Sequence, residues 1–426
     1  KGTISGSKKS EEKKIKLRLK GDWLDHLKGN KWSYRVKVTD SKKWNNLSVF
    51  SLQDPSTRSY LKEWVLHQWF KKENILTTEY DFINLKINDT SKGLYVYEEH
   101  FDKSILERYQ REPGPIMKFT EDGLWEIRAA RLNKKIKREE DYENLRANTD
   151  VKPFKEKTIL KSENLSELYI AGQQLMFDYM HGNKPLKEIF DLNLLAKYYA
   201  IVDLTRGYHG VFWHNQRFYY NPNSKKLEPI GFDGYDDTGS DGLEVPFIGF
   251  NLALDIDENE LLFSNIFKDF EFVELYMKYL KKFCEKEYLD SFISSIENDL
   301  NNRKEYVQNF KKDYKFNCDY IYSNSKKIEL SIKPNSNIIQ TRKVDSNIIA
   351  ICNRHCAAIE IIGEAVKENK KYYLLETPII ISCTKNTHLP DFSKKLKIDP
   401  KTKYLAYKVL GMDSIYFSRI NPWPIP

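Results

Sequence analysis

The sequence predicts an α+β protein in three parts: a mixed α/β lobe, a mainly helical lobe, and a C-terminal all-β, sandwich-like region. Three observations carry that expectation. Apolar residues alternate in short runs through the first third, around one amphipathic helix. Between 162 and 316 the apolar spacing is helical on either side of one hairpin and loop. From Cys318 short β-type runs recur, such as YIYS, KIELSI and PIIISC, between Asn, Gly, Pro and Lys turns. The expected boundaries are a flexible lead-in at 1–12, the first lobe at 13–135, a linker and helical lobe at 136–317, and the β appendage at 318–426.

Each element follows from local pattern. KIKLRLKGDW opens the first lobe as a strand with Ile15, Leu17 and Leu19 on one face, and WSYRVKV at 32–38 is the second strand. The loop between them holds two glycines, Asp22, Asp25, His26 and several basic groups. Backbone N–H groups and lysines can converge on phosphates there, although the spacing is neither a Walker A motif nor G-x-G-x-x-G. Asp54-Pro55-Ser56 opens a helix at 57–72 whose stripe of Leu61, Trp64, Val65 and Trp69 reads as core. Strands follow at 80–87 and 94–99 across an Asn88-Asp89 turn, then a helix at 102–110. Pro115-Ile-Met-Lys118-Phe is a short strand with a lysine inside it. Such a lysine needs an anionic partner, a structural Glu or a bound phosphate. The charged stretch 133–157 reads as a linker. Helices are expected at 162–180, ended by Gly182, at 185–205, and from 258 to 316.

Composition sets the limits. At 426 residues the chain is long enough for two or three domains. With 40% hydrophobic and 31% charged residues it is globular rather than disordered. No apolar run approaches the ~20 residues of a membrane span. The chain starts at Lys1 without a Met, so the lack of a signal peptide excludes no compartment. A net charge of +8 suits an anionic partner, but the charge is diffuse, as in LNKKIKREEDYEN, and most of it reads as solvated surface. Five cysteines, an odd number, define no disulfide framework. Cys352-Asn-Arg-His355-Cys356 reads as a turn between strands; a zinc site would need a second ligand pair, and only Cys383 and His388 follow.

The stretch 203–237, DLTRGYHGVFWHNQRFYYNPNSKKLEPIGFDGYDD, gathers the residues suited to chemistry. A polar loop with His209, His214 and Asn215 leads into a β-hairpin at 217–220 and 227–230, turned by Asn221-Pro222-Asn223. It closes on Asp233, Asp236 and Asp237 among glycines. The hairpin sets Asn215 beside Asp233. An amide oxygen beside a carboxylate is a hard-oxygen site of the kind that holds Mg2+ under nucleotide phosphates. The Gly/Ser/Pro loop at 238–249 suits a lid or substrate loop.

A β-rich lobe with an in-strand lysine, then a helical lobe with an Asn and an Asp either side of a hairpin, is the plan of a two-lobed protein kinase. The spacing departs from H-R-D-x-x-x-x-N and D-F-G. It resembles the spore coat protein H (CotH) kinase family, an atypical kinase-like branch, over residues 13–315. The resemblance is carried by LRLKGDW with KWSYRVKV, by FSLQDPSTRSYLKEWVLHQWF, by FINLKINDTSKGLYVYEEHFDKSIL, by GPIMKF, and by NQRFYYNPNSKKLEPIGFDGY. It implies a bacterial enzyme that moves the γ-phosphate of ATP, with Mg2+ or Mn2+, to Ser/Thr of an exported or surface-associated protein. On this resemblance Asp233 is the metal-binding Asp, and Asn215 is the second metal or loop ligand. Lys118 contacts phosphate, with Glu99 or Glu98 as partner; Lys20, Lys31 and Arg35 contact phosphates from the first two strands.

The family places an Asp five residues before this Asn, as the base for the substrate hydroxyl, and here that position is Gly210. His209, His214 and Asp203 are the neighbouring candidates, and a neutral imidazole such as that of His209 can serve as a base near neutral pH. The alternative is a catalytically impaired pseudokinase or a surface binding module. Nucleic acid is not an expected partner, since no RNP-like or helix-turn-helix signature is present.

Overall fold

The computed structural model describes residues 2–6, 12–20, 29–41, 43–133, 149–235, 266–334, 338–368, 371–382, 392, 394–420 and 422–423. Four strands open the chain: β1 (Gly2–Ile4), β2 (Lys13–Leu19), β3 (Tyr34–Val38) and β4 (Val49–Gln53). A 3-10 turn, Pro55–Arg58, is capped by the Asp54 side chain and leads into helix α1 (Leu61–Lys72). Strand β5 (Leu76–Thr77) follows, then the hairpin of β6 (Tyr80–Ile87) and β7 (Thr90–Glu99). Asn88 and Asp89 turn that hairpin at φ 48 and 64, the left-handed pair that a tight hairpin demands. The first sheet runs β1-β2-β3-β4-β7-β6, with every pair antiparallel.

The next segment alternates short helices and strands: α2 (Lys103–Arg108), β8 (Ile116–Phe119), α3 (Asp122–Leu132), β9 (Val151–Pro153) and α4 (Glu156–Ile159). Helix α5 (Glu163–His181) starts on a Ser162 cap and ends on Gly182 at φ 67. The single helix expected at 185–205 is broken. Short α6 (Leu186–Ile189) stops at an extended Phe190, and Asp191 caps a new helix, α7 (Leu192–Thr205), by accepting from Leu194 N. The break comes from a capping Asp that an apolar-pattern reading ignores.

Strands β10 (Arg217–Asn221) and β11 (Lys226–Gly231) form the expected hairpin. It completes a second sheet, β5-β11-β10-β8-β9, in which β11 runs parallel to β5. That one parallel pairing ties the hairpin to the strand just after α1. Helices α8 (Phe270–Cys284) and α9 (Lys286–Gln308) match expected helical patterns. Residues 236–265, including Asp236, Asp237 and the loop at 238–249, lie outside the described residues, as does most of the loop after β2.

The runs YIYS and KIELSI, expected as strands, fold instead as helix α10 (Asp319–Ile332). Ile321, Ser325, Ile328 and Ile332 recur at helical spacing and bury one face. Packing of that stripe overrides the β preference of isoleucine. Eight strands follow: β12 (Ile339–Asp345), β13 (Ile348–Asn353), β14 (Ile359–Ala365), β15 (Tyr372–Ile381), β16 (Lys394–Lys397), β17 (Tyr404–Val409), β18 (Tyr416–Arg419) and β19 (Pro422–Trp423). They make two four-stranded sheets, β16-β13-β12-β19 and β15-β14-β17-β18. One core joins them, with Ile339, Ile349 and Ile351 from one and Ile359, Ile361, Leu405 and Tyr407 from the other. The turn 353–358 links β13 to β14, and His355 Nδ1 accepts there from Ala357 N at 3.1 Å.

The largest core runs from α1 through β6, β7 and α5 to α9 into α10, and takes in Ala357, Ala358, Val409 and Leu410 of the sandwich. One arginine ties α9 both to the first sheet and to α1. Arg303 of α9 donates twice to Asp81 of β6, at 2.8 and 3.0 Å, and its guanidinium lies 4.6 Å over the Trp64 ring. The fold is α+β.

Candidate active site

The site is built where α7, the β10–β11 hairpin and α1 meet. Helix α7 ends on Arg206 at φ 57, and Gly207 N closes the end on Val202 O at 2.9 Å. Two 3-10 turns, Tyr208–Val211 and Trp213–Asn215, then carry the chain to β10. Asn215 sits at the end of the second turn, and its Nδ2 donates to His209 O at 3.0 Å. That bond fixes the amide, so Oδ1 is left as its acceptor. After β11 the chain passes Phe232 to Asp233, which is buried at φ 54, a costly backbone for a residue other than glycine.

Two neighbours hold the Asp233 carboxylate. Arg58, from the turn before α1, makes an ion pair from Nε to Oδ1. His209 Nε2 lies 3.5 Å from Oδ2. Next door, Gly234 N donates to Glu63 on α1 at 2.9 and 3.2 Å. Tyr235 closes the cluster. The Arg58 guanidinium lies 4.7 Å over its ring, and the His209 ring centroid is 4.2 Å away. Asn215 and Asp233 are linked through His209, whose backbone oxygen accepts from the amide and whose ring faces the carboxylate.

The other expected residues are placed differently. Lys118 on β8 sits in register with Arg217 of β10 on one side and Lys152 of β9 on the other, with its Nζ 6.0 Å from the Phe154 ring. Glu99, offered as its partner, instead accepts from Arg108 at 2.5 Å and from Glu79 N at 3.0 Å. The Lys–Glu pair of the first sheet is Lys20 with Glu98, at 3.2 Å, and Lys20 also donates to Gln53 at 2.8 Å. Sheet register explains the exchange: Glu98 and Glu99 alternate faces of β7, and Glu98 takes the face that β2 and β4 present. Lys31 donates to Leu94 O at 3.3 Å and lies 3.7 Å from Asp54. Arg35 stands on β3 opposite Arg18 and Ser51. Asp203 is fully buried and accepts from Tyr276 OH at 2.5 Å, which makes it a structural carboxylate of α7.

Electrostatics sets the character of the site. His100, at the end of β7, is pushed down to about 2, first by burial and then by Arg35, Lys155, Lys20 and Arg217. Burial lowers Lys20, against Glu98, and Arg35 and Arg58 lower it further. Arg217 is lowered to about 10 by burial, although Glu121 and Asp233 oppose it. Arg58 goes up: burial works against it, and Asp233, then Glu98, outweigh the burial. His214 is lowered to about 4 by burial, His209 and Arg217. Lys20, Arg35, Arg58 and Arg217 thus lie close to Asp233 and Glu98, a setting of several cations that suits a polyanionic ligand such as a triphosphate.

Buried polar atoms point the same way. Two buried donors, Gln53 Nε2 and Arg217 Nε, have no hydrogen-bond partner among the described residues. A carboxylate, a fixed amide oxygen and unmatched buried donors fit a divalent cation with a phosphate ligand.

Sequence reasoning missed Arg58, Glu63, His67, His100 and Arg217. A signal for two of them existed. Glu63 and His67 sit one turn apart among the apolar residues of α1, and both are buried. A charged pair at core positions asks what it is bonded to.

The family model described as CotH kinase protein matches residues 17–344. The match continues past α9 through α10 into β12. No curated protein matches the sequence.

Proposed function

The chain belongs to the CotH kinase family, and from that membership we propose that it is an atypical Ser/Thr protein kinase acting on an exported or surface-associated protein. The observation that carries this reading is the meeting of Asp233 with Arg58 and His209, whose backbone oxygen holds the Asn215 amide. In this reading the first sheet is one lobe of a two-lobed kinase-like arrangement, and the helices with the Asn–Asp hairpin are the other. Lys20, braced by Glu98, takes phosphate oxygens of ATP together with Arg35, Arg58 and Arg217. Asp233 and the Asn215 amide oxygen hold Mg2+ or Mn2+, and that cation supplies charge neutralisation at the phosphates. The transition state of phosphoryl transfer is largely dissociative, so placement and charge do most of the work. His209, partly exposed beside Asp233, is the group set to accept the hydroxyl proton. Transfer of the γ-32P of ATP to protein tests the reading. Asp233→Asn is expected to lower it by about a hundredfold or more. Equal incorporation by both proteins contradicts it, and incorporation of the α-label points to nucleotidyl transfer.

One observation favours a second reading. A Cβ on Gly210 would stand 2.6 Å from the Phe232 carbonyl, so this backbone does not admit the family's Asp there. A module that binds nucleotide without transferring phosphate fits that fact. A thermal shift with Mg-ATP, with neither phosphate release nor transfer, would decide for it.

A further inference from the structure

Helix α1 runs behind the Asp233 loop and grips it on both sides. Glu63, fully buried, takes the N–H of Gly234 on both carboxylate oxygens, at 2.9 and 3.2 Å. One turn on, His67 puts Nε2 3.0 Å from Glu63 Oε1 and Nδ1 2.8 Å from both Thr78 O and Thr77 Oγ1. The Thr77 hydroxyl donates to Gly231 O at 2.6 Å. A closed chain of bonds therefore runs from Gly231 through Thr77, His67 and Glu63 to Gly234, with Asp233 between its ends. Packing reinforces it: a Cβ on Gly231 would strike the Phe70 ring, and one on Gly234 would strike Leu66, both from α1.

A fully buried Glu is costly unless its hydrogen bonds require it. An apolar residue at 63 would serve a helix that is buried nearly all round, at Leu61, Trp64, Val65 and Leu66 among others. What an apolar residue would not do is satisfy the half-buried N–H of Gly234. Asp233 holds a left-handed backbone, which persists only where the surroundings over-determine it.

We infer that Glu63 is a positioning residue: by fixing Gly234 N–H it sets the direction of the Asp233 carboxylate, with His67 and Thr77 bracing it from the far side. The inference rests on the reading above, in which Asp233 binds the divalent cation. A partner that orients a metal ligand typically affects metal affinity by ten- to a hundredfold.

The test is Mn2+ binding to the full chain with a non-hydrolysable ATP analogue, read from the free-ion EPR signal. Glu63→Ala is expected to weaken Mn2+ binding about tenfold, and Glu63→Gln, which keeps an oxygen for Gly234 N–H, to recover most of it. Thr77→Val removes only the bridging hydroxyl and is expected to weaken binding several-fold; it decides the matter if Glu63→Ala does not fold. Wild-type Mn2+ binding in folded Glu63→Ala, with only a lower melting temperature, overturns the inference and leaves Glu63 structural. Wild-type binding in Asp233→Asn overturns the cation-ligand reading itself and the inference with it.

Discussion

At the residue scale, Gly210 separates this chain from the family's pattern. The loop passes so close to the Phe232 carbonyl that a side chain at 210 must push backbone aside. Gly210→Asp should therefore supply no base. It is expected to cost about 1–3 kcal/mol in urea unfolding and to leave phosphate transfer no higher than wild type. Higher transfer in that variant would mean the loop is free to move. The hairpin that runs between Asn215 and Asp233 was legible in the sequence because its turn and alternation are local signals. Lys20 and Glu98 were not paired correctly. They are far apart in sequence, and only the order of strands, with β4 between β3 and β7, sets which acidic residue faces β2. Arg58 was invisible for the same reason: its partner Asp233 arrives from the other half of the chain.

At the element scale, α1 is the pivot. It carries Glu63 and His67 to the Asp233 loop, lays Phe70 on Gly231, and shares Trp64 with Arg303 of α9. Gly231→Ala would drive a methyl group into the Phe70 ring. The expected cost is about 1–3 kcal/mol, seen as a lower urea midpoint at unchanged m-value. A wild-type midpoint would show that the ring has room to retreat. The long amphipathic helices and the β6–β7 hairpin followed from periodicity and turn residues. Helix α10 did not, because its isoleucines carry a strand preference that only the packed helix face overrules.

At the scale of the whole molecule, the sandwich is docked rather than tethered. Val409 and Leu410 join the core that holds α8, and Gly411, at φ 80, lies so close to the Glu274 carbonyl that a side chain has no space. Acid should reveal how the buried histidines are distributed. His100 is lowered to about 2 and His355 in the sandwich to about 4, both chiefly by burial. Their folded values lie below the ordinary value near 6.5, so the unfolded chain takes protons first. Unfolding free energy should fall as pH drops from about 6.5 towards 4, through both the site and the sandwich. Urea melts across that range check it, and a midpoint that rises on acidification would contradict it.

The central claim is that Asp233 and Asn215 seat a divalent cation under nucleotide phosphates supplied with cations by Lys20, Arg58 and Arg217. A crystal structure of the chain with Mg2+ and a non-hydrolysable ATP analogue tests it most directly. The account predicts Mg2+ at about 2.1 Å from an Asp233 oxygen, shared with the phosphates, and Arg58 turned towards a phosphate. A nucleotide bound elsewhere, or phosphates with Asp233 still closed on Arg58 and no cation between them, would contradict it.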